Sequence, residues 1–176
     1  MSDLQIRNLG PEEISIAIDW AAAEGWNPGL RDAACFTIPD AKGFFVGEID
    51  GEPVATVSCV NYDDRFAFLG FYIVRTGFRG RGHGLRIWNA AIAHAGSRVI
   101  GLDGVVAQQD NYRKSGFQLA YANVRYGGSH VPATIEGENS SAPGATSRWP
   151  APTVRRSVVV GASVRRARGL NSAFSM

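Results

Sequence analysis

The chain has 176 residues, of which 45% are hydrophobic and 19% charged, and its formal net charge is +2. This length predicts one domain with a tail, the near-neutral charge by itself favours neither a nucleic acid nor a membrane as partner, and no apolar run reaches the ~20 residues of a membrane span. Cys35 and Cys59 lie far apart without metal-ligand spacing, which favours free thiols in a reducing cytosol and no bound metal. The first residues, MSDLQIRNLGPEE, lack the apolar segment of a signal peptide, so we expect a cytoplasmic protein.

The first half of the chain predicts a strand, two helices and a hairpin. Apolar and polar residues alternate in LQIRNL, which is typical of a short strand. The next segment, PEEISIAIDWAAAEG, predicts a helix in which Pro11 suits the first turn and Gly25 the end. A loop and a shorter helix follow in WNPGLRDAACF, and residues 43–64 predict two strands joined by the turn Asp50-Gly51.

The second half predicts strands that alternate with helices. The segments RFAFLGFYIVR, RVIGLDGVV and FQLAYANVRY are typical of strands. Between them lie HGLRIWNAAIAHAG, a helix with Leu85, Trp88 and Ile92 on one face, and QQDNYRKSG, a short helix that Gly116 ends. The whole order predicts the α/β class, with a mixed sheet of about six to seven strands, antiparallel early and partly parallel late, and about four flanking helices.

The loop FRGRGHG, between a predicted strand and a predicted helix, indicates an anion site. Backbone N–H groups at the start of a helix lack partners and lie at the positive end of the helix dipole. Gly80, Gly82 and Gly84 remove the Cβ atoms that would keep a phosphate from the backbone, and Arg79 and Arg81 add charge suited to a diphosphate. The alternative is a sharp turn with solvated arginines.

Two other phosphate motifs are disfavoured. A P-loop requires Gly-Lys-Ser/Thr after the loop, and a dinucleotide-binding fingerprint requires a third glycine where this chain has Leu85. His83 has no cluster of histidine, cysteine or carboxylate near it, so it is predicted to open the helix rather than to bind a metal.

Two spaced motifs resemble the GNAT acyltransferase superfamily. Its cofactor motif, Arg/Gln-x-x-Gly-x-Gly/Ala, is met by Arg79, Gly82 and Gly84, and a second landmark, Tyr-x-x-x-Gly-Phe, begins at Tyr112. The order of elements from residue 3 to about 126 also fits that fold. The segments EGWNPG, GFFVGEIDG and GLDGVVAQQDNYRKSGF are similar to a bacterial group in which a second acetyltransferase-like half follows the first.

The resemblance implies that acetyl-CoA binds at the glycine loop and that no covalent enzyme intermediate forms. The backbone of Val74 would pair with the pantetheine arm, and Tyr112 would protonate the leaving thiolate; the alternative for Tyr112 is a tyrosine that only packs at the sheet edge. An asparagine usual in the family is Val105 here. The residues implied to hold the pyrophosphate are Arg79, Gly80, Arg81, Gly82, His83 and Gly84.

The acceptor site is less clearly marked by the sequence. Trp26 and Asn27 lie where this fold lines its acceptor site, although a core-edge tryptophan and a turn asparagine are the alternative, and Tyr72 could face either the cleft or the core. Ordered water could accept the proton of the amine without a single base. The candidate bases are Asp103, Asp63, Asp64 and Glu48.

The chain changes character near residue 128. Residues 1–126 carry 12 basic and 14 acidic residues, whereas residues 127–176 carry six arginines and two glutamates. We expect residues 1–128 to form the acetyltransferase domain and residues 129–176 to be a disordered, low-complexity tail rich in Arg, Ser, Ala and Pro. The tail suggests a truncated or frame-shifted remnant of a second half, and the alternative is a basic arm for nucleic acid or a partner protein.

The leading hypothesis is an N-acetyltransferase that uses acetyl-CoA to acetylate the primary amine of a small molecule. The second is a CoA-binding module that is catalytically impaired because its other half is missing. The third, a nucleic-acid-binding protein, is disfavoured because only Trp149 and Phe174 interleave with the arginines of the tail.

Overall fold

The computed structural model describes residues 3–29, 31–125 and 157–164, with backbone alone for 122–125 and 157–164. Within these ranges no helix is long and apolar enough to cross a membrane. The helices are Ser15–Ala23 (α1), Asp32–Thr37 (α2), His83–Ala95 (α3) and Gln109–Lys114 (α4). The strands are Gln5–Asn8 (β1), Phe44–Ile49 (β2), Glu52–Asn61 (β3), Phe66–Val74 (β4), Val99–Val105 (β5), Gln118–Arg125 (β6) and Ser157–Val164 (β7).

The described strands form one seven-stranded sheet in the order β1-β2-β3-β4-β5-β7-β6. Neighbours from β1 to β4 are antiparallel, β4 and β5 are parallel, and β7 is antiparallel to both β5 and β6. The parallel pair follows from the α3 crossover, since parallel strands cannot be joined by a tight turn. The predicted α/β class, mixed sheet and element order are confirmed.

Strand β7 lies in a segment where the sequence predicts no strand. It occupies the position between β5 and β6, and its register pairs Asp103 with Gly161 and Gly161 with Tyr121. The predicted disorder of the remaining tail concerns residues 129–156 and 165–176, which lie outside the described residues. The division of the chain at residue 128 therefore stays a prediction.

Of two predictions about local structure, the hairpin turn at Asp50-Gly51 is confirmed, and the start of the first helix at Pro11 is wrong. Asp50 and Gly51 have φ values of 53° and 80° and join β2 to β3 as the two-residue turn that the sequence predicts. Helix α1 begins at Ser15 rather than at Pro11. The reason lies at Glu13, whose N–H donates to Gly10 O and whose carboxylate accepts the Gly10 N–H at 2.9 Å, so residues 10–13 close a separate turn.

The sheet carries a hydrophobic core on each face. On one face α3 buries Ile87, Trp88, Ala91 and Ala95. The face opposite to α3 carries a core that includes Ile14, which precedes α1, Ala17 of α1, and Phe44 and Val46 of β2, and Phe36 of α2 packs against it. The central strands, buried on both faces, are rigid enough to hold a site where two of them separate.

Candidate functional site

A gap opens in the sheet between β4 and β5. Their pairing ends at Leu69 and Leu102. Beyond this point β4 continues beside β3, whereas β5 continues beside β7 as far as Val105. The second half of β4 therefore has a free edge toward the gap, and backbone groups on that edge are available to a ligand.

A β-bulge in β4 sets which face its side chains take. Ser58 pairs with Gly70 and Thr56 with Ile73, so β4 carries one residue more than β3 at this point. The extra residue bends the strand at Phe71, whose φ of 48° is unusual for a residue with a side chain. The Thr56 hydroxyl donates to Phe71 O at 3.0 Å and stabilises the bend.

The bulge resolves the orientation of Tyr72, which the sequence leaves open. Phe71 packs with the rings of Phe36 and Phe44, at centroid distances of 5.9 and 5.7 Å, on the α1–α2 face. Tyr72 turns to the other face, where its ring meets Trp88 edge to face at 5.2 Å. Sequence reasoning missed Phe71, and its only signal was the Gly-aromatic-aromatic break in the alternation of β4.

The glycine loop presents unpaired N–H groups at the start of α3. Gly80 and Gly82 have φ values of 74° and 80°, a conformation that favours glycine. The first hydrogen bond of α3 runs from Arg86 N–H to Gly82 O. Among the described residues, the N–H groups from Gly80 to Leu85 donate to no protein acceptor. Unpaired N–H groups at the positive end of a helix dipole are the arrangement that anion sites use, and the binding of a phosphate here stays a prediction.

Arg79, Arg81 and His83 of the glycine loop have different contacts. Arg79 Nε donates to Val74 O at 2.7 Å and Arg79 Nη2 pairs with Glu24 at 2.7 Å. The guanidinium of Arg81 lies 5.7 Å from the ring centre of Phe78. His83 opens α3, as predicted, and its Nδ1 is buried without a hydrogen-bond partner in the described part of the chain.

Val74 directs its backbone groups into the gap. The Arg75 N–H donates to Val54 O at 3.0 Å, which places the pair of Ala55 and Val74 in a non-hydrogen-bonded position of the antiparallel ladder. The N–H and C=O of Val74 therefore point away from β3 toward the free edge. This is the orientation that an added strand requires.

Gly84 lets Tyr72 lie against the first turn of α3. A Cβ atom at Gly84 would be 2.4 Å from the Tyr72 hydroxyl and 3.3 Å from Val74 Cγ2. The absence of a side chain at this position thus has a steric cause separate from access to the loop backbone. Burial, and secondly the nearby Tyr112, raise the pKa of Tyr72 to about 12.

Tyr112 lies on the α3 face, on the β5 side of the gap. Its ring stacks on Trp88 at 6.2 Å, and a Cβ atom at Gly104 would be 2.1 Å from its Cε2. Gly104 is therefore required for the tyrosine to pack on β5, which the sequence alone did not reveal. Burial raises the pKa of Tyr112, so its hydroxyl keeps its proton at neutral pH.

The buried hydroxyl of Tyr72 should make the fold sensitive to alkali. The pKa of a tyrosine is ~10 in the unfolded chain, whereas the pKa of Tyr72 in the folded chain is about 12. The protonated hydroxyl of Tyr72 therefore contributes to stability below pH ~10, and this contribution is lost as the pH rises from ~10 through about 12. We expect Tyr72→Phe to lose less unfolding free energy than wild type over this interval, measured by denaturant titration at successive pH values. Equal losses would show that the hydroxyl is solvated.

The predicted acceptor residues lie on separate parts of the site. Trp26 and Asn27 follow α1, where the Trp26 N–H donates to Ala21 O and Asn27 has a φ of 52°. Glu24, two residues before Trp26, joins this segment to Arg79 of the glycine loop. Tyr72 lies on the α3 face of the sheet. The acceptor roles of all three residues stay predictions.

Two of the four candidate bases already have partners. Glu48 pairs with Arg7 at 2.7 Å, and Asp63 accepts the N–H groups of Arg65 and Phe66 in a turn. Asp103 is exposed and has no such partner among the described residues. The described residues also contain no group of three histidine, cysteine or carboxylate side chains placed to hold a metal ion.

Comparison with known proteins agrees with this geometry. The acetyltransferase (GNAT) family profile matches residues 12–117, a range that includes the glycine loop and Tyr112. A holothin acyltransferase from Pseudoalteromonas sp. (strain SANK 73390) is 46% identical over 119 residues, which make up 68% of this chain and 40% of that protein. The chain thus spans about two-fifths of the length of this curated relative.

Solved structures with the same fold have low sequence identity to this chain. An IAA acetyltransferase from Bacillus cereus ATCC 14579 matches with a TM-score of 0.63 at 17% identity, over 93% of this chain and 100% of that one. The N-acetylglutamate synthase from Neisseria gonorrhoeae, solved with coenzyme A and L-arginine, matches with a TM-score of 0.55 at 14% identity, over 69% of this chain and 28% of that one.

Proposed function

The chain belongs to the GNAT acetyltransferase family, and on this premise we propose that it transfers an acetyl group from acetyl-CoA to the primary amine of a small acceptor. One observation carries the proposal: the glycine loop, with its unpaired N–H groups, lies at the end of a strand whose free edge borders a gap in the sheet. Such a pair of features suits a ligand that has a diphosphate and an extended amide arm.

The glycine loop supports a site for the pyrophosphate of acetyl-CoA. The N–H groups from Gly80 to Leu85 lack acceptors among the described residues. A Cβ atom at Gly82 would meet no atom within 4 Å, so open space borders the loop backbone. The residues present therefore fit a diphosphate, with Arg79 and Arg81 adding positive charge nearby.

The backbone of Val74 supports a site for the pantetheine arm. Its N–H and C=O face the gap, as those of an edge strand do. Arg79 Nε donates to Val74 O, and because a carbonyl oxygen has two lone pairs, an amide of the pantetheine arm can donate to the same oxygen.

The chemistry proposed for the gap needs one proton donor and no covalent enzyme intermediate. The lone pair of the neutral amine attacks the thioester carbonyl and forms the new C–N bond, and the C–S bond breaks as the tetrahedral oxyanion collapses. Tyr112 donates a proton to the leaving sulfur, while the nitrogen gives its extra proton to water, from which Tyr112 is reprotonated. The raised pKa of Tyr112 keeps that proton available at neutral pH. Burial raises the pKa of Cys59 to about 12, so this thiol remains neutral and is not an activated nucleophile.

A CoA-binding module without transferase activity is the second candidate function. The observation that favours it is length, because the chain spans 40% of the holothin acyltransferase that it resembles. The nucleic-acid hypothesis uses the RGRG stretch of the glycine loop together with the arginines beyond residue 128, and the side chains of the latter lie outside the described residues.

Measuring thiol release from acetyl-CoA distinguishes the two candidate functions. We expect the full chain to release thiol from acetyl-CoA faster when benzylamine, tyramine or putrescine is added, with calorimetry confirming acetyl-CoA binding in parallel. Binding without amine-dependent release by any of the three amines would favour the inactive module. Absence of both binding and release would contradict the proposed function.

A further inference from the structure

Asp103 is an exposed carboxylate at the point where the gap begins. It is the first residue of β5 beyond the last pair with β4, Leu69 and Leu102. It has no hydrogen-bond or ion-pair partner among the described residues. A carboxylate in this position is free to bind a ligand rather than to stabilise the fold.

The side chain of Asp103 lies on the face of the sheet opposite to Tyr112. Leu102 belongs to the core beneath α3, and Gly104 lies against the Tyr112 ring. Because side chains alternate along a strand, Asp103 faces the α1–α2 side. Tyr112 and Asp103 thus flank the gap from opposite faces, as expected for a proton donor to sulfur and a binding group for the incoming nucleophile.

Glycines on both neighbouring strands leave room around this carboxylate. Gly161 of β7 pairs directly with Asp103. On the other side, continuing the β4–β5 register by one residue places Gly70 next to Asp103, and a Cβ atom at Gly70 would face Ser58 Oγ, on the α1–α2 side, at 3.3 Å. The strip from Gly70 to Gly161 is therefore a shallow floor with one charged group.

Aromatic side chains bound the floor at its two ends. Phe71 follows Gly70 and packs with Phe36 and Phe44. Tyr121, which pairs with Gly161, is 55% exposed, and it lies two strand spacings, roughly 10 Å, from Asp103. The floor therefore suits a compact acceptor that has an apolar body and one ammonium group. It disfavours an acceptor with a carboxylate beside its amine, because that carboxylate would be repelled by Asp103.

We propose that Asp103 recognises the ammonium group of the acceptor and restricts the enzyme to small cationic amines. An amine with an ordinary pKa is an ammonium ion at neutral pH, which a carboxylate binds through charge-assisted hydrogen bonds. The bound ammonium passes one proton to water before the neutral amine attacks. The inference rests on the proposed function, because it places the amine on the face opposite to the leaving sulfur.

The test uses two analogues of acetyl-CoA, so the natural acceptor need not be known. S-(2-aminoethyl)-CoA places an ammonium group near the position of the attacking amine, and S-propyl-CoA is its neutral counterpart. We expect wild type to bind the ammonium analogue about tenfold more tightly than the neutral one, and Asp103→Asn to lose this preference with unchanged affinity for S-propyl-CoA. Calorimetry measures all four dissociation constants.

Asp64→Asn is the matched control, because Asp64 is also exposed but lies in the turn between β3 and β4. Asp64→Asn should keep the wild-type preference for the ammonium analogue. This result would show that the effect of Asp103→Asn comes from a local contact and not from the loss of one negative surface charge. No preference in wild type, or a preference that survives Asp103→Asn, would overturn the inference while cofactor binding stands. Failure of both analogues to bind wild type would instead reject the proposed function, and the inference with it.

Discussion

Replacing Gly82 by leucine is expected to weaken acetyl-CoA binding roughly 100-fold or more while the chain remains folded. Two effects act together. In the proposed complex the N–H groups of the loop would form charge-assisted hydrogen bonds to phosphate, each contributing about 1.5–3 kcal/mol, and a side chain at Gly82 would project into space that is open in this structure. The φ of 80° also disfavours any residue with a Cβ atom by about 1–2 kcal/mol. Calorimetry measures the binding, and thermal unfolding measures the fold.

The chain offers a matched control for the backbone strain. Gly51, in the turn between β2 and β3, has the same φ of 80° and equally open space around its Cα. Gly51→Leu should therefore lower stability about as much as Gly82→Leu and leave acetyl-CoA affinity unchanged. Equal affinity in the two variants would show that the loop does not bind the phosphates.

Replacing Tyr112 by phenylalanine is expected to lower kcat by about 100-fold or more, the usual contribution of a positioned general acid. The dissociation constant of acetyl-CoA should change little. The reason is that the contacts of Tyr112 with Trp88, Gly104 and Phe117 involve its ring, which phenylalanine retains. Steady-state kinetics with any accepted amine, together with calorimetry, separates the two quantities.

The pH profile distinguishes proton donation from packing. Because burial raises the pKa of Tyr112, wild type should keep its rate up to at least pH ~10 and lose it only as the phenol ionises. Tyr112→Phe should lack this alkaline decline. A phenylalanine variant with wild-type kcat and the same profile would mean that water donates the proton and that Tyr112 only packs.

Local signals in the sequence predict much of the fold. The pair Asp50-Gly51 favours positive φ at both positions, which specifies the hairpin, and the glycines around Arg81 mark the start of α3. The alternation of strands and helices after residue 66 predicts the parallel crossover. These features depend on a few neighbouring residues, so they can be recognised in one sequence.

Other features depend on contacts between distant segments. The bulge at Phe71 exists because β3 and β4 differ by one residue in register, and it reverses the face of every later side chain in β4, Tyr72 included. The need for glycine at Gly104 arises from Tyr112, which belongs to α4. The alternation of apolar residues within one strand reveals neither the register between β3 and β4 nor the contact between Gly104 and Tyr112. The orientation of Tyr72 could therefore not be predicted.

The central claim is that the loop amides bind the twin phosphates of acetyl-CoA, and amide NMR tests it most directly. Titration of the ¹⁵N-labelled chain with acetyl-CoA should shift the amide protons of Gly80, Gly82 and Gly84 downfield, as new hydrogen bonds to phosphate form, and saturate together with calorimetric binding. The account would be contradicted if acetyl-CoA bound while these three resonances stayed in place, or if millimolar acetyl-CoA perturbed no resonance at all.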